Sequence, residues 1–217
     1  MEGSRTQLRK WFKAIWLLSG SDHGITSVRL SAEIEVTYKT AWLMLQKIRH
    51  AISLLDSDTP LTGVVRVNVA CYGRPHNPSV LRHPQEQPLL VGSSSNVLGD
   101  LEWVKIKLVD LAHLDGRFLQ RYSGAVAFTN SHIHDIQIIT RSHARDRILP
   151  LLQLASQASQ WLNTTFHGIG RKHLQAYMNE FCYRLNMSLR HQPRFNSLLQ
   201  LCISSTRITY SHVTMAA

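Results

Sequence analysis

Acidic side chains are scarce in this chain: 14 Asp and Glu stand against 24 Lys and Arg, for a formal net charge of +10 over 217 residues. That imbalance points to a polyanionic partner, either nucleic acid or an anionic membrane surface. Cysteine is scarcer still. Cys71, Cys182 and Cys202 are odd in number and lack Cys-x-x-Cys spacing, which argues against a disulfide framework and a cysteine zinc site and suits a reducing cytoplasm. No apolar run reaches the ~18 residues of a membrane-spanning helix, so no bilayer-spanning segment is expected. Residues 1–13 hold Glu2 and four cations but no apolar core before a cleavage site, so they do not read as a secretory signal. Repeats and low-complexity tracts are absent. What remains is 44% hydrophobic and 18% charged, enough apolar material for a buried core in one medium domain, or one domain with an appendage.

Charge is uneven along the chain, with nine of the cations and only three of the acids falling in 124–217. Leu8, Trp11, Phe12, Ile15 and Leu18 recur at helical spacing and predict a helix over 5–19. A short helix follows over 27–34 and a longer one over 38–55, the latter with Thr37 as N-cap and Ala41, Leu45, Ile48 and Ile52 on one face. Residues 56–60, Asp-Ser-Asp-Thr-Pro, read as a linker. The period then changes, predicting strands at 64–69, 89–91, 103–109 and 125–128, with a helix at 114–122 before the last. From Ile148 onward the reading is mostly helical, clearest over 173–189. Three helices followed by β-β-β-α-β and more helices predict an α/β chain: a helical region at 1–57, then a mixed sheet of the ribonuclease H-like type at 58–217.

Residues 24–52 have the layout of a helix-turn-helix, with Glu35-Val36-Thr37 as the turn. In that arrangement the second helix presents Lys39, Thr40, Leu43 and Gln46 to base edges, while Lys47 and Arg49 reach phosphates. The plainer alternative is a three-helix packing unit whose cations are merely solvated.

Several longer stretches carry a family resemblance. They are Trp11-Phe-Lys-Ala-Ile15, Gly24-Ile-Thr-Ser27, the run from Thr37 to Arg49 (Thr-Tyr-Lys-Thr-Ala-Trp-Leu-Met-Leu-Gln-Lys-Ile-Arg), and the run from Trp161 to Asn186, which includes Phe-His-Gly-Ile-Gly-Arg-Lys-His-Leu-Gln-Ala-Tyr-Met-Asn-Glu-Phe-Cys-Tyr-Arg. Together they resemble a group of bacterial insertion-sequence transposases of the DDE superfamily, over about residues 8–200. The resemblance implies a helix-turn-helix, a ribonuclease H-like catalytic domain, and DNA cutting and joining with two Mg²⁺ or Mn²⁺ ions. Many full-length members begin with a zinc-binding ribbon, so the resemblance also implies an N-terminally truncated member.

In this branch of the family the catalytic positions commonly read Asp, Asp, Asn and Lys. Two divalent ions ~3.5–4 Å apart need anionic oxygen ligands to activate the attacking oxygen and stabilise the leaving one. Here Val65-Arg66-Val67-Asn68 stands in the first context, Thr129-Asn130-Ser131 in the second, and Gln157 and Ser159 in the third. Asn68, Asn130, Gln157 and Ser159 therefore replace the catalytic set with neutral groups, and loss of metal affinity and of cleavage is expected.

Other carboxylates read as capping or surface groups: Asp110, Asp115, Asp135 and Glu180. His132, His134 and His143 lack the spacing of a full metal set and read as surface histidines, while His167 and His173 lie where DNA would pass. Arg141, Arg145, Arg147, Arg171 and Lys172 form the densest cationic segment and read as phosphate contacts. The sequence thus leads to a transposase-like DNA-binding protein of the bacterial cytoplasm and nucleoid, without nuclease activity. It has DNA as partner, no tightly bound cofactor, no membrane or small-molecule substrate, and an open possibility of homo-oligomers. Two alternatives stand beside it: a regulator that occupies transposon ends without cutting, and a decayed relic.

Overall fold

The structure, a computed structural model, describes residues 4–73, 86–96, 100–114, 122–134, 138–141, 148–206 and 209–210. It is α/β and divides into two compact units, residues 1–58 with 161–217, and residues 59–160.

The first unit is helical. Helix α1 (Leu8–Gly20) turns Trp11, Ala14, Ile15 and Leu18 inward at three- and four-residue spacing. Helix α2 (Ser27–Ile34) opens where the Thr26 side chain accepts the Arg29 N–H at 3.2 Å. It closes at Glu35, which takes a left-handed conformation with φ 52°, while the Val36 N–H returns to the Ser31 carbonyl at 3.1 Å. Lysines of α1 reach the same end: Lys10 Nζ donates to the Glu35 carbonyl at 2.8 Å, and Lys13 donates to that of Glu33. Cations at a helix C-terminus satisfy orphan carbonyls and complement the dipole.

Helix α3 (Tyr38–Asp58) starts where Thr37 Oγ1 accepts the Thr40 N–H at 3.2 Å, the capping role expected of Thr37. Its inner face buries Ala41, Leu45, Ile48 and Ile52, as the periodicity predicts. The helix outruns its predicted end, because Asp56, Ser57 and Asp58 form its last turn rather than a linker. There Ser57 Oγ donates to the Ser53 carbonyl, and Asp56 is only 5% exposed. Two C-terminal helices, α6 (Arg171–Leu189) and α7 (Arg194–Ser204), complete the unit: α6 packs on α3, and α7 packs on α1 and α3. The sequence reading had grouped these helices with the strands. Their apolar faces instead fill the layer over α1 and α3.

The second unit holds a sheet of β1 (Val64–Tyr72), β2 (Gln87–Ser95), β3 (Leu101–Leu108) and β4 (Ile138–Arg141), in the order β3-β2-β1-β4. β1 and β2 pair antiparallel, as do β2 and β3, whereas β4 runs parallel to β1. A parallel neighbour demands a crossover. Helix α4 (Tyr122–His132) lies within that crossover, after a short 3₁₀ turn at Leu111–His113. The strand predicted at 125–128 is therefore a correction, since those residues belong to α4. Gly124 and Phe128 are buried four residues apart, and Thr129 Oγ1 donates to the Ala125 carbonyl. A four-residue apolar run carries no period that separates helix from strand. Of the helix predicted at 114–122, residues 115–121 lie outside the described residues, Leu114 follows the 3₁₀ turn and Tyr122 opens α4.

Gly92 on β2 makes the close packing of α4 possible. A Cβ there would lie 2.7 Å from Phe128 Cζ and 2.8 Å from Leu61 Cδ1. Helix α5 (Leu149–Phe166) carries the unit boundary within it, and Leu151, Leu154, Ala155 and Ala158 are buried in its first part.

Candidate nucleic-acid interface and substituted metal site

Asn68 lies in the middle of β1, paired in register with Val91 on one side and Arg141 on the other, and is 2% exposed. Its amide Nδ2 is buried without a hydrogen-bond partner. Asn130 is exposed on α4 and not at a strand end, a correction that follows from the helix at 122–132. Gln157 is exposed on α5, and Ser159 Oγ donates to the Ala155 carbonyl at 2.9 Å. No hydrogen bond joins any two of these four residues. The set contains no carboxylate, and its one deeply buried member offers an unpaired N–H, which repels a cation. These residues do not fit a pair of divalent ions. Among the described residues, no group of three or more His, Cys, Asp or Glu side chains gathers elsewhere.

Three of the stretches that carry the family resemblance, 24–27, 37–49 and 161–186, meet in the helical unit. Glu180, read from sequence as surface, is fully buried between two arginines. Its Oε2 accepts from Arg49 Nε at 2.7 Å, and its Oε1 accepts from Arg184 Nη2 at 2.9 Å and Nε at 3.2 Å. Arg184 also donates to the Leu18 carbonyl at 2.6 Å and the Ser21 carbonyl at 2.5 Å, and so caps the end of α1. The Arg49 guanidinium lies 3.8 Å from the centre of the Tyr177 ring and 5.6 Å from that of Phe166. Phe166 meets Tyr177 and Trp161 edge-on at 4.8 and 5.2 Å between centroids. Gly24, at φ 81°, lies under them: a Cβ there would come 3.0 Å from Trp161 and 3.6 Å from Glu180 Oε1.

Burial by itself pushes the Glu180 carboxyl up, but the two arginine charges and their hydrogen bonds outweigh it and hold it below the usual glutamate range. The cluster ties α1, α3 and α6 together.

This geometry removes two residues from the predicted DNA face. Arg49 is 0% exposed and Gln46 5%, both on the side of α3 that faces the interior. Arg49 spends its charge on Glu180 rather than on phosphate. Leu43 is half-buried, as is Lys47, whereas Lys39 is exposed, its Nζ 5.4 Å from the Tyr210 ring centre. Thr40 is half-buried, its hydroxyl 2.9 Å from that of Thr37.

At the start of α6, Lys172 is exposed, and Arg171 and His173 are half-buried. The His173 ring stands edge-on to Trp42 at 5.8 Å, which brings the first turns of α3 and α6 side by side. Burial, then the charges of Lys172 and Arg49, lower the His173 pKa, so the imidazole resists protonation. His167 is exposed with φ 58°. The side chain of Arg141 and all of Arg145 and Arg147 lie outside the described residues, as do Asp115, Asp135 and His143.

Asp110 caps the 3₁₀ turn, accepting the Ala112 N–H at 2.8 Å. His132 stacks edge-on to Phe128 at 5.2 Å, and His134 is exposed. Cys182 and Cys202 are buried free thiols, and burial pushes Cys202 up to about 12, far from the range of a nucleophile. None of the described helices is long and apolar enough to cross a membrane.

The sequence reading missed the partnership of Arg49, Glu180 and Arg184. The only signal for it was Glu180 standing four residues before Arg184, a spacing that favours an ion pair on a helix. No protein-family model, curated protein or solved structure matches the chain.

Proposed function

We propose that this chain is a transposase-derived DNA-binding protein that holds DNA without cutting it. The convergence of residues from every resemblance-bearing stretch but the first onto one buried cluster carries this reading: Gly24, Arg49 and a group from 161–184 (Trp161, Tyr177, Glu180 and Arg184) come from three separate stretches yet pack together. The sheet order, with β1–β3 antiparallel and β4 parallel to β1, supports a ribonuclease H-like reading of the second unit. The α2–turn–α3 segment is the helix-turn-helix of this reading, with Lys39 and Thr40 toward DNA and Lys172 and Arg171 adding phosphate contacts from α6. The neutral set at Asn68, Asn130, Gln157 and Ser159 favours binding without cleavage, as in a regulator occupying transposon ends in a bacterial cytoplasm.

A salt titration of binding to duplex DNA tests the first half of this reading, with a steep fall in affinity expected as salt rises. The second half is tested with the chain carrying Asn68→Asp, Asn130→Asp, Gln157→Asn and Ser159→Lys. Mn²⁺-dependent nicking by that variant and not by the unaltered chain would support the family assignment. Nicking by the unaltered chain would refute the loss of cleavage.

A further inference from the structure

Two strands of the second unit bring unpaired hydrogen-bond donors to one face of the sheet. Ser93 on β2 is 0% exposed and its Oγ has no partner. Ser95, two residues on, is 5% exposed with an unpaired Oγ, and Asn68 on β1 is 2% exposed with an unpaired Nδ2. Arg66 stands directly opposite Ser93 in the antiparallel register, and Asn68 opposite Val91. Residues directly opposite one another share a face, and alternate residues along a strand do so too. Arg66, Asn68, Ser93 and Ser95 therefore lie on one side of the β1–β2 ribbon. Opposed positions have Cβ atoms roughly 4.5–5.5 Å apart, and diagonal ones lie within reach of long side chains. Arg66 is half-buried, and among the described residues no carboxylate pairs with it.

Buried polar atoms are nearly always satisfied, and an orphaned donor carries a desolvation penalty. Three orphans and a guanidinium on one face carry more N–H and O–H donors than the two serine oxygens are placed to accept, and the face holds no anionic acceptor among these four residues. A tetrahedral oxyanion supplies what is missing, since each oxygen accepts from hydroxyl or amide N–H and its charge complements the arginine. We infer that the β1–β2 face is an oxyanion site for a phosphate group, held by Arg66, Asn68, Ser93 and Ser95. Its charge preference is the reverse of a metal site. It does not depend on the DNA-binding reading, because the phosphate can be a free ion or the terminal phosphate of a nucleic acid.

The test uses the full chain and inorganic phosphate, following thermal unfolding against chloride at matched ionic strength. Phosphate is expected to raise the melting temperature of the unaltered chain in a saturable way. Ser93→Ala removes an unpaired hydroxyl and should fold as well as the original, yet bind phosphate about tenfold more weakly. Arg66→Gln should weaken binding at least as much, and Asn68→Asp should abolish it by charge repulsion. A second arm compares duplexes with a 5′-phosphate and a 5′-hydroxyl end. A preference for the phosphorylated end that Ser93→Ala erases identifies a nucleic-acid terminus as the source, and its absence alongside saturable phosphate binding identifies a free ion. No phosphate-specific shift in the unaltered chain, or an unchanged shift in both Ser93→Ala and Arg66→Gln, overturns the site.

Discussion

Replacing Glu180 by Gln removes one negative charge from the interior of the helical unit and leaves two guanidinium groups facing a neutral amide. The two arginines are not equally exposed to the loss. Arg184 keeps its bonds to the Leu18 and Ser21 carbonyls, whereas the Nη1 and Nη2 atoms of Arg49 have no partner and would retain only the faces of Tyr177 and Phe166. Removing one member of a buried ion pair costs about 3–5 kcal/mol, a large share of the roughly 5–15 kcal/mol by which domains are stable. Arg49→Met should cost less, because it leaves Glu180 paired with Arg184 and replaces an arginine stem by an apolar one of similar length. The double variant should be more stable than the sum of the singles implies, by about 1–3 kcal/mol.

The pH dependence has a definite sign. The folded Glu180 carboxyl lies below its unfolded value, so its stabilisation is present above the unfolded pKa of about 4.3 and is lost as pH falls through the folded one. Glu180→Gln should therefore flatten the acid limb of stability while lowering stability at neutral pH. Urea unfolding followed by tryptophan fluorescence reads this directly, because Trp11, Trp16, Trp42 and Trp161 all lie in the helical unit and only Trp103 lies in the other. A loss below about 1 kcal/mol at pH 7, within the range of an exposed pair, would refute the clamp.

Gly24→Ala should cost about 1–3 kcal/mol in the same unfolding assay, because the site needs φ 81° and a Cβ would press on Trp161 at 3.0 Å. Gly20→Ala, whose Cβ meets open space, should be neutral or stabilising. Gly92→Ala should destabilise the sheet unit by about 1–3 kcal/mol through its clash with Phe128, and adding Phe128→Leu should recover part of the loss if packing is the cause. In DNA binding, Lys39→Ala and Lys172→Ala should each reduce the salt slope by about one, measured by fluorescence anisotropy at several salt concentrations. Arg49→Ala should instead lower folding stability, with the slope of any folded fraction unchanged.

Local signals made much of the fold legible. Helix α2 spans its predicted residues because Thr26 and the Glu35 turn are short-range devices, and α3 begins where Thr37 caps it. The β-branched run at 64–69 marked β1, though the strand continues to Tyr72. What failed depended on partners far along the chain. Arg49 and Glu180 are 131 residues apart, and each alone has the composition of a solvated surface. Residues 125–128 were too few to carry a period, and β4 at 138–141 went unread because it is four residues long and gains its place from pairing with β1. The neutral character of Asn68, Asn130, Gln157 and Ser159 was legible from identity alone. The burial of Asn68 beside Ser93 and Ser95 required the register.

The most direct measurement incubates the purified chain with supercoiled plasmid and Mn²⁺ and resolves the products on a gel, once natively and once after removing the protein. Binding without cleavage requires a retarded plasmid that runs as intact supercoil when stripped of protein. Open-circular or linear product from the unaltered chain would contradict the loss of cleavage, and a plasmid that is never retarded would contradict the DNA-binding function itself.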